Sequence, residues 1–114
     1  MISDRAVRLE QRQISMSCVI PVHNEADNIV EFVQELYQKI SRHLDRLEII
    51  IVDDGSQDDT VDKIKPLLAL YPIKILQFSR NFGKEAALSA GLAHVDSDLC
   101  LLIDADFQHP LAMI

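Results

Sequence analysis

Four short apolar runs, each ending in a polar motif, govern what this chain can fold into. Residues 16–22 (MSCVIPV) lead into Pro21-Val22-His23-Asn24-Glu25, and residues 47–52 (LEIIIV) into Asp53-Asp54-Gly55-Ser56. Residues 73–78 (IKILQF) lead into Ser79-Arg80-Asn81-Phe82-Gly83-Lys84, and residues 99–103 (LCLLI) into Asp104-Ala105-Asp106. Runs that are apolar on both faces belong to parallel sheets covered on both sides. The segments between them have helical spacing, so the order is βαβαβαβ, which predicts one parallel sheet with right-handed crossovers and flanking helices. In such sheets ligands bind in the crevice outside the carboxyl ends of the strands. All four motifs are therefore expected on one rim, carrying carboxylates, one arginine and one lysine, a set suited to a metal–diphosphate ligand.

The intervening segments supply the helices. Asn24 is expected to cap the first, with Asp27 favourable near its positive end. Ile29, Phe32, Val33, Leu36, Ile40 and Leu44 form its apolar stripe. Ser56 with Asp59 resembles a cap for the second helix, whose stripe is Val61, Ile64 and Leu68. Pro66 falls inside that helix and is expected to kink or shorten it. The third runs from about Lys84 to His94, and its small residues Ala86, Ala87, Ala90 and Gly91 allow close approach to a neighbour. Pro21 lacks a backbone donor, so strand pairing is expected to finish there. Residues 1–15 read as an N-terminal extension, with a short amphipathic helix over Asp4–Gln13 or disorder as the alternatives.

A chain of 114 residues makes one small domain rather than two. Two Tyr, four Phe and no Trp leave the core to Ile, Leu, Val and Ala. The formal net charge of −7, without a basic stripe, argues against a nucleic-acid binder. An acidic rim would repel a bare diphosphate, and a bound cation is the natural remedy. Cys18 and Cys100 match no metal or redox spacing and read as two buried free thiols in a reducing compartment. No secretory signal is visible, and no stretch approaches the roughly 20 apolar residues of a membrane span, so the expectation is a soluble, cytoplasmic piece. The chain stops on apolar Pro110-Leu111-Ala112-Met113-Ile114 just after its acidic motif. It is expected to be the front of a larger domain cut after its fourth strand, with an exposed sheet edge open to self-association.

Each motif has a bland and a chemical reading. Asp104 and Asp106, at i and i+2, can face the same way in an extended turn, and Gln108 repeats the spacing with an amide oxygen. Hard divalent cations take such oxygen ligands together with substrate phosphates. An Asp-x-Asp pair is otherwise a solvated turn, and its place after a strand in register with three other motifs favours the chemistry. Asp53-Asp54-Gly55-Ser56 is either a strand-to-helix turn or a carboxylate that accepts from a base imide or a ribose hydroxyl. Glu25 suits a helix start and could also accept from a ribose hydroxyl, while His23 reads as a wall residue. Arg80, Asn81 and Lys84 form a small cationic group that is either a solvated face or, through Arg80 and Lys84, contacts base or phosphate oxygens. No G-x-G-x-x-G follows the first strand and no G-x-x-x-x-G-K-[ST] occurs, against a dinucleotide oxidoreductase or a P-loop NTPase.

VIPVHNEADNI, IIIVDDGSQDDT, FSRNFGKEAALSAGL and LLIDADFQHP, spanning about residues 16–110, resemble family 2 glycosyltransferases of the GT-A fold. SRNFGKEAAL and DADFQHP are most similar to the polyprenyl-phosphate glycosyltransferases, such as dolichol-phosphate mannose synthases and bactoprenol glucosyltransferases. The resemblance implies a Rossmann-like nucleotide-diphospho-sugar transferase fold, with residues 16–114 as the N-terminal, nucleotide-sugar-binding part. It implies an inverting hexosyl transfer from a UDP- or GDP-linked sugar to polyprenyl phosphate, with Mg2+ or Mn2+. By position, Pro21, His23, Glu25 and Asp54 would line the nucleoside pocket, with Asp53 beside them. Arg80 and Lys84 would lie near base and phosphates, and Asp104, Ala105 and Asp106 at the diphosphate. Asp104, Asp106 and Gln108 would hold the metal. His23 stands where Tyr, Phe or Lys is common, and Phe107 replaces a frequent Leu. The family's catalytic base lies beyond Ile114, so the piece is expected to be inactive alone. The full-length protein would sit at the cytoplasmic face of the inner membrane. The alternatives are a sugar-nucleotide-forming nucleotidyltransferase, disfavoured by the PVHNEADN loop, and a non-catalytic nucleotide-binding α/β module.

Overall fold

The computed structural model describes residues 14–105. The expectations for Asp4–Gln13, Asp106, Phe107 and Gln108 lie outside the described residues. Within them, four strands form one parallel sheet: β1 Ser15–Val22, β2 Arg46–Asp53, β3 Ile73–Gln77 and β4 Leu99–Leu102. Three α-helices alternate with the strands: α1 Ile29–Ile40, α2 Thr60–Ile64 and α3 Lys84–Leu92.

The strand order is β3-β2-β1-β4. The chain steps outward from β1 to β3 and then returns to the other side of β1, so the direction of winding reverses between β1 and β4. Right-handed crossovers then require α1 and α2 on one face of the sheet and α3 on the other. The core divides in this way. Ile29, Phe32, Val33, Leu36 and Ile40 of α1, with Ile64 and Leu67, pack on Cys18, Ile20, Val22, Ile49 and Ile51. Ala87, Leu88 and Ala90 of α3 pack on Val19, Ile50 and Val52. Ile49 to Val52 are all fully buried, which explains the unbroken apolar run of β2. Each such side chain contributes on the order of 1.5–3 kcal/mol of transfer free energy. The small residues of α3 do what their size allows: a Cβ on Gly91 would overlap Val19.

Pro21 qualifies the expectation that pairing stops there. The β1–β2 ladder runs on through Pro21↔Val52 to Val22↔Asp53. The β1–β4 ladder ends at Val19↔Leu102, with the Ile103 amide donating to the Val19 carbonyl. In a parallel strand the N–H and C=O of one residue point the same way, and residues two apart share a side. Val19 faces β4, so Pro21 does too, and its missing donor ends only that ladder. The sheet opens between β1 and β4, where the winding reverses.

Pro66 shortens its helix as expected. The α-helical segment stops at Ile64 and continues as a 3-10 turn over Lys65–Ala69. A period of three replaces 3.6, so Leu67 rather than Leu68 follows Ile64 into the core; Leu67 is buried and Leu68 exposed. Cys18 is buried and Cys100 is exposed, correcting the reading of two buried thiols. Cys100 lies on the outer strand of the sheet, where nothing described covers its face. Burial pushes the Cys18 thiol up to about 12 and raises that of Cys100 as well. Among the described residues, no helix is long and apolar enough to cross a membrane.

Gly55 has φ +70°, and a Cβ there would overlap the Arg80–Asn81 backbone. Gly55→Ala should lower unfolding free energy by about 2 kcal/mol or more, from left-handed strain plus the overlap. Leu70→Ala, at a largely exposed site, should stay within about 0.5 kcal/mol; both are read by urea denaturation. An aromatic disulfide reagent at pH 8 should titrate one thiol per folded chain, Cys100, and both after denaturation. Two fast thiols in the folded state would contradict the burial of Cys18.

Candidate functional site

The loops after β1 and β2 are fastened to each other before either meets a ligand. The Asp54 amide donates to the Val22 carbonyl at 2.8 Å, continuing the ladder one step past the strands. Asn24 adopts φ 54°, the left-handed region that asparagine tolerates. Its amide donates to Ser56 Oγ at 2.9 Å, and its Oδ1 accepts from the Gln57 and Asp58 amides at 2.8 and 3.3 Å. Asn24 therefore secures the loop before α2 and does not cap α1. The turn before α1 closes instead on the Glu25 carbonyl, which accepts from the Asn28 and Ile29 amides. Neither α1 nor α2 has a side-chain cap. The Glu25 amide donates to Thr60 Oγ1 at 2.9 Å, and the Thr60 hydroxyl donates onward to Asp58. That hydroxyl, followed by the Thr60 and Ala26 amides, holds the Asp58 carboxyl below its ordinary range.

The adjacent carboxylates Asp53 and Asp54 are both buried, and each is engaged in a different direction. Asp53 accepts from the Ser56 amide at 3.2 Å and from the Ser56 hydroxyl, closing its own turn. Asp54 reaches across to the loop after β3. Its Oδ1 accepts from the Phe82 amide at 2.7 Å, and its Oδ2 from the Gly83 amide at 2.9 Å and Asn81 Nδ2 at 3.2 Å. Those amides lead directly into α3, so the carboxylate sits at the positive end of that helix. His23 lies 2.8 Å by Nδ1 from the Asp54 carbonyl. A carbonyl only accepts, so Nδ1 carries the proton and Nε2 can accept from Asn24 Nδ2 at 3.3 Å.

These links frame a cleft of about 230 Å³ lined by Pro21, Val22, His23, Glu25, Asp54, Asn81, Gly83, Lys84, Asp104 and Ala105. It lies between the ends of β1 and β4, at the reversal point of the sheet, where ligands of open α/β folds bind. Across it the Lys84 ammonium pairs with Asp104 Oδ1 at 2.9 Å. Seven of the sequence-predicted site residues meet here: Pro21, His23, Glu25, Asp54, Lys84, Asp104 and Ala105. Asp53 and Arg80 do not. They line an adjoining cleft with Gly55, Ser56 and Phe78, which shares His23 and Asn81 with the first. The Arg80 guanidinium stacks 4.7 Å from the centre of the Phe82 ring. Asn81, Val22 and Gly83 are wall residues outside the expected site set, and Asn81 is the one among them with a polar side chain. Its signal was its place between Arg80 and Lys84 in a loop that must pass the Asp54 carboxylate.

Among the described residues, no cluster of three or more His, Cys, Asp or Glu side chains could hold a metal ion. Asp104 is the described member of the expected set. Its carboxylate is partly exposed at the rim and already takes a positive charge, that of Lys84, so its donor chemistry fits a hard cation. Magnesium-type sites of this kind rely on one or two carboxylates plus substrate phosphates.

A doubly wound sheet with a polar cleft at its reversal point defines a class of α/β protein that binds its ligands at that point. The sequence profile described as glycosyl transferase family 2 matches residues 17–114, and this chain belongs to that family. It is similar to the bactoprenol glucosyl transferase of Shigella phage SfV, 38% identical over 104 residues, 89% of this chain and 33% of that protein. It is also similar to the dolichol-phosphate mannosyltransferase of Pyrococcus furiosus, 34% identical over 103 residues, 89% of this chain and 28% of that protein. The chain thus spans about a third of the length of these relatives. The mannosyltransferase PcManGT from Pyrobaculum calidifontis, solved with GDP-Man and Mn2+, superposes with a TM-score of 0.73 at 23% identity, over 85% of this chain and 29% of that one. The fold is GT-A, as the resemblance implied.

Asp54→Asn replaces one acceptor oxygen with a donor facing a backbone amide. It should cost about 1–3 kcal/mol of stability and speed hydrogen exchange at Phe82 and Gly83 before other amides of the sheet. Exchange at these two amides in the unsubstituted chain as fast as in an open loop would contradict the bonding described.

Proposed function

We propose that the cleft between β1 and β4 is the donor side of a glycosyltransferase, binding a nucleoside diphosphate sugar together with a divalent cation, Mg2+ or Mn2+. The observation that carries this reading is the convergence of Glu25, Asp54, Lys84 and Asp104, from four separate segments, on that one cleft. Family membership and the names of the relatives support it, as does the GDP-Man and Mn2+ held by a protein of the same fold.

In this reading the nucleoside lies toward Pro21, His23 and Asp54 and the diphosphate toward Lys84 and Asp104. Asp54 Oδ1 accepts one described bond and has capacity for another from a base imide or ribose hydroxyl. Glu25 supplies a further acceptor. Asp53 supports the turn beneath them, and Arg80 reaches the ligand from the adjoining cleft. Lys84 offers its ammonium to phosphate oxygens. A cation held by Asp104, with Asp106 and Gln108 as further ligands, would neutralise the diphosphate and ease its departure. In this reading the acceptor of the whole protein is polyprenyl phosphate, supported by the words bactoprenol and dolichol-phosphate in the relatives' names, and the transfer inverts the hexose. A lipid-linked acceptor would put the whole protein at the cytoplasmic face of the membrane.

Calorimetry with UDP, GDP and UDP-glucose, with and without Mn2+, tests the donor reading. Binding of a nucleoside diphosphate that strengthens at least about tenfold with Mn2+, one RT ln 10 step of about 1.4 kcal/mol, is expected. Binding of none of them at millimolar concentration overturns it.

A further inference from the structure

Three consecutive amides of the loop after β1 are each held by a side-chain oxygen from the loop after β2. The Asn24 amide donates to Ser56 Oγ at 2.9 Å, the Glu25 amide to Thr60 Oγ1 at 2.9 Å and the Ala26 amide to Asp58 Oδ2 at 3.3 Å. Both hydroxyls in this row have already committed their protons, Ser56 to Asp53 Oδ1 and Thr60 to Asp58 Oδ1. A hydroxyl carries a single proton, so each oxygen can only accept from the amide that faces it. Hydrogen bonds in series polarise one another, and each of these relays ends on a carboxylate.

Thr60 is fully buried, where a hydroxyl costs free energy unless it is paired. Valine has the same branched shape and would fill the site without that cost. Packing therefore does not call for the hydroxyl; the Glu25 amide does. Ser56 lines the adjoining cleft and could meet a ligand directly. Among the described residues, Thr60 and Asp58 line neither cleft. Anything they do for a ligand must pass through the backbone they hold, and Glu25 in that backbone is on the cleft wall.

We propose that Thr60, its proton taken by Asp58, is a positioning residue that fixes where Glu25 stands in the cleft and so tunes affinity for the nucleoside part of the ligand. This rests on the donor reading above. The Glu25 carbonyl is anchored by the Asn28 and Ile29 amides, and the Thr60 hydroxyl anchors its N–H. Without the second anchor the backbone relaxes at Asn24, whose φ is 54°, because left-handed residues persist only where their surroundings hold them. Glu25 then turns with it.

The test compares UDP and GDP affinity in the presence of Mn2+ for the unsubstituted chain, Thr60→Val, Thr60→Ser, Glu25→Gln and the Thr60→Val/Glu25→Gln pair. Thr60→Val keeps the volume and loses the hydroxyl, whereas Thr60→Ser keeps the hydroxyl and loses a methyl group. Thr60→Val should weaken binding about fivefold or more and Thr60→Ser by less than about twofold, a gap within the usual span of coupling in one network. In the Glu25→Gln background the Thr60→Val step should change affinity by less than about twofold, since the carboxylate it acts through is gone. Asp58→Ala, at an exposed position, frees the Thr60 proton; it replaces Thr60→Val, with the same expectations, if circular dichroism shows that the latter does not fold. Unchanged affinity in the folded variant overturns the proposal and leaves the donor reading intact. So does a Thr60→Ser chain that binds as weakly as Thr60→Val, or full additivity with Glu25→Gln. An unsubstituted chain that binds neither diphosphate at millimolar concentration overturns both.

Discussion

The carboxylate of Asp54 is the fastening on which the rest of this rim depends. It leaves the end of β2, crosses to the loop after β3 and accepts the two amides that precede α3. Without that bond the loop from Ser79 to Gly83 would have no reason to lie against Gly55, and the lysine that begins α3 would have no fixed origin. The contact is possible because residue 55 has no side chain, so the two loops touch backbone to backbone. A glycine and an aspartate next to each other thus hold the loop after β3 against the end of β2. His23 completes the arrangement by donating to the carbonyl of the same aspartate.

Electrostatics give the site its character. The chain carries a formal −7, yet the three aspartates along the rim are not left to repel one another. Asp53 is turned into its own loop by Ser56, Asp54 into the start of a helix, and Asp104 toward a lysine. Buried charges are retained in folded proteins when such partners exist. An acidic protein can therefore keep Asp53, Asp54 and Asp104 close together on one rim, each with a donor facing it.

Much of this was legible in the amino-acid sequence, for identifiable reasons. The apolar runs at residues 16–22, 47–52, 73–78 and 99–103 could not be helices of any useful length, and a parallel sheet follows from their order. Their strand ends match the observed ones to within one or two residues. Glu25, Asp54, Lys84 and Asp104 converge because the topology sends every strand exit to the same rim. Local side-chain chemistry was harder to read. Asn24 looked like a cap for the helix that follows it in the chain, but its partners lie 33 and 34 residues away. Propensity ranks a residue type and says nothing about which of two nearby loops will claim it. The placement of Arg80 and Asp53 in the adjoining cleft depends on where each side chain leaves its turn, which spacing does not encode. Cys100 was judged by the apolarity of its neighbours, whereas its exposure follows from β4 being an outer strand, a property of the order β3-β2-β1-β4.

That order also bears on how the polypeptide comes together during synthesis. The earliest of the described strands to leave the ribosome, β1, ends up flanked on both sides. Its neighbour on one side is made about 30 residues later, but Ser17 must wait for Cys100. Until then one flank of the strand keeps its amides and carbonyls open to any passing chain. Long-range parallel pairing of this sort is slow, and nascent intermediates with bare strand edges are the ones prone to stick. Here the interval of exposure is set by the translation of residues 23–102, and the proline at position 21 shortens the exposed flank by one donor.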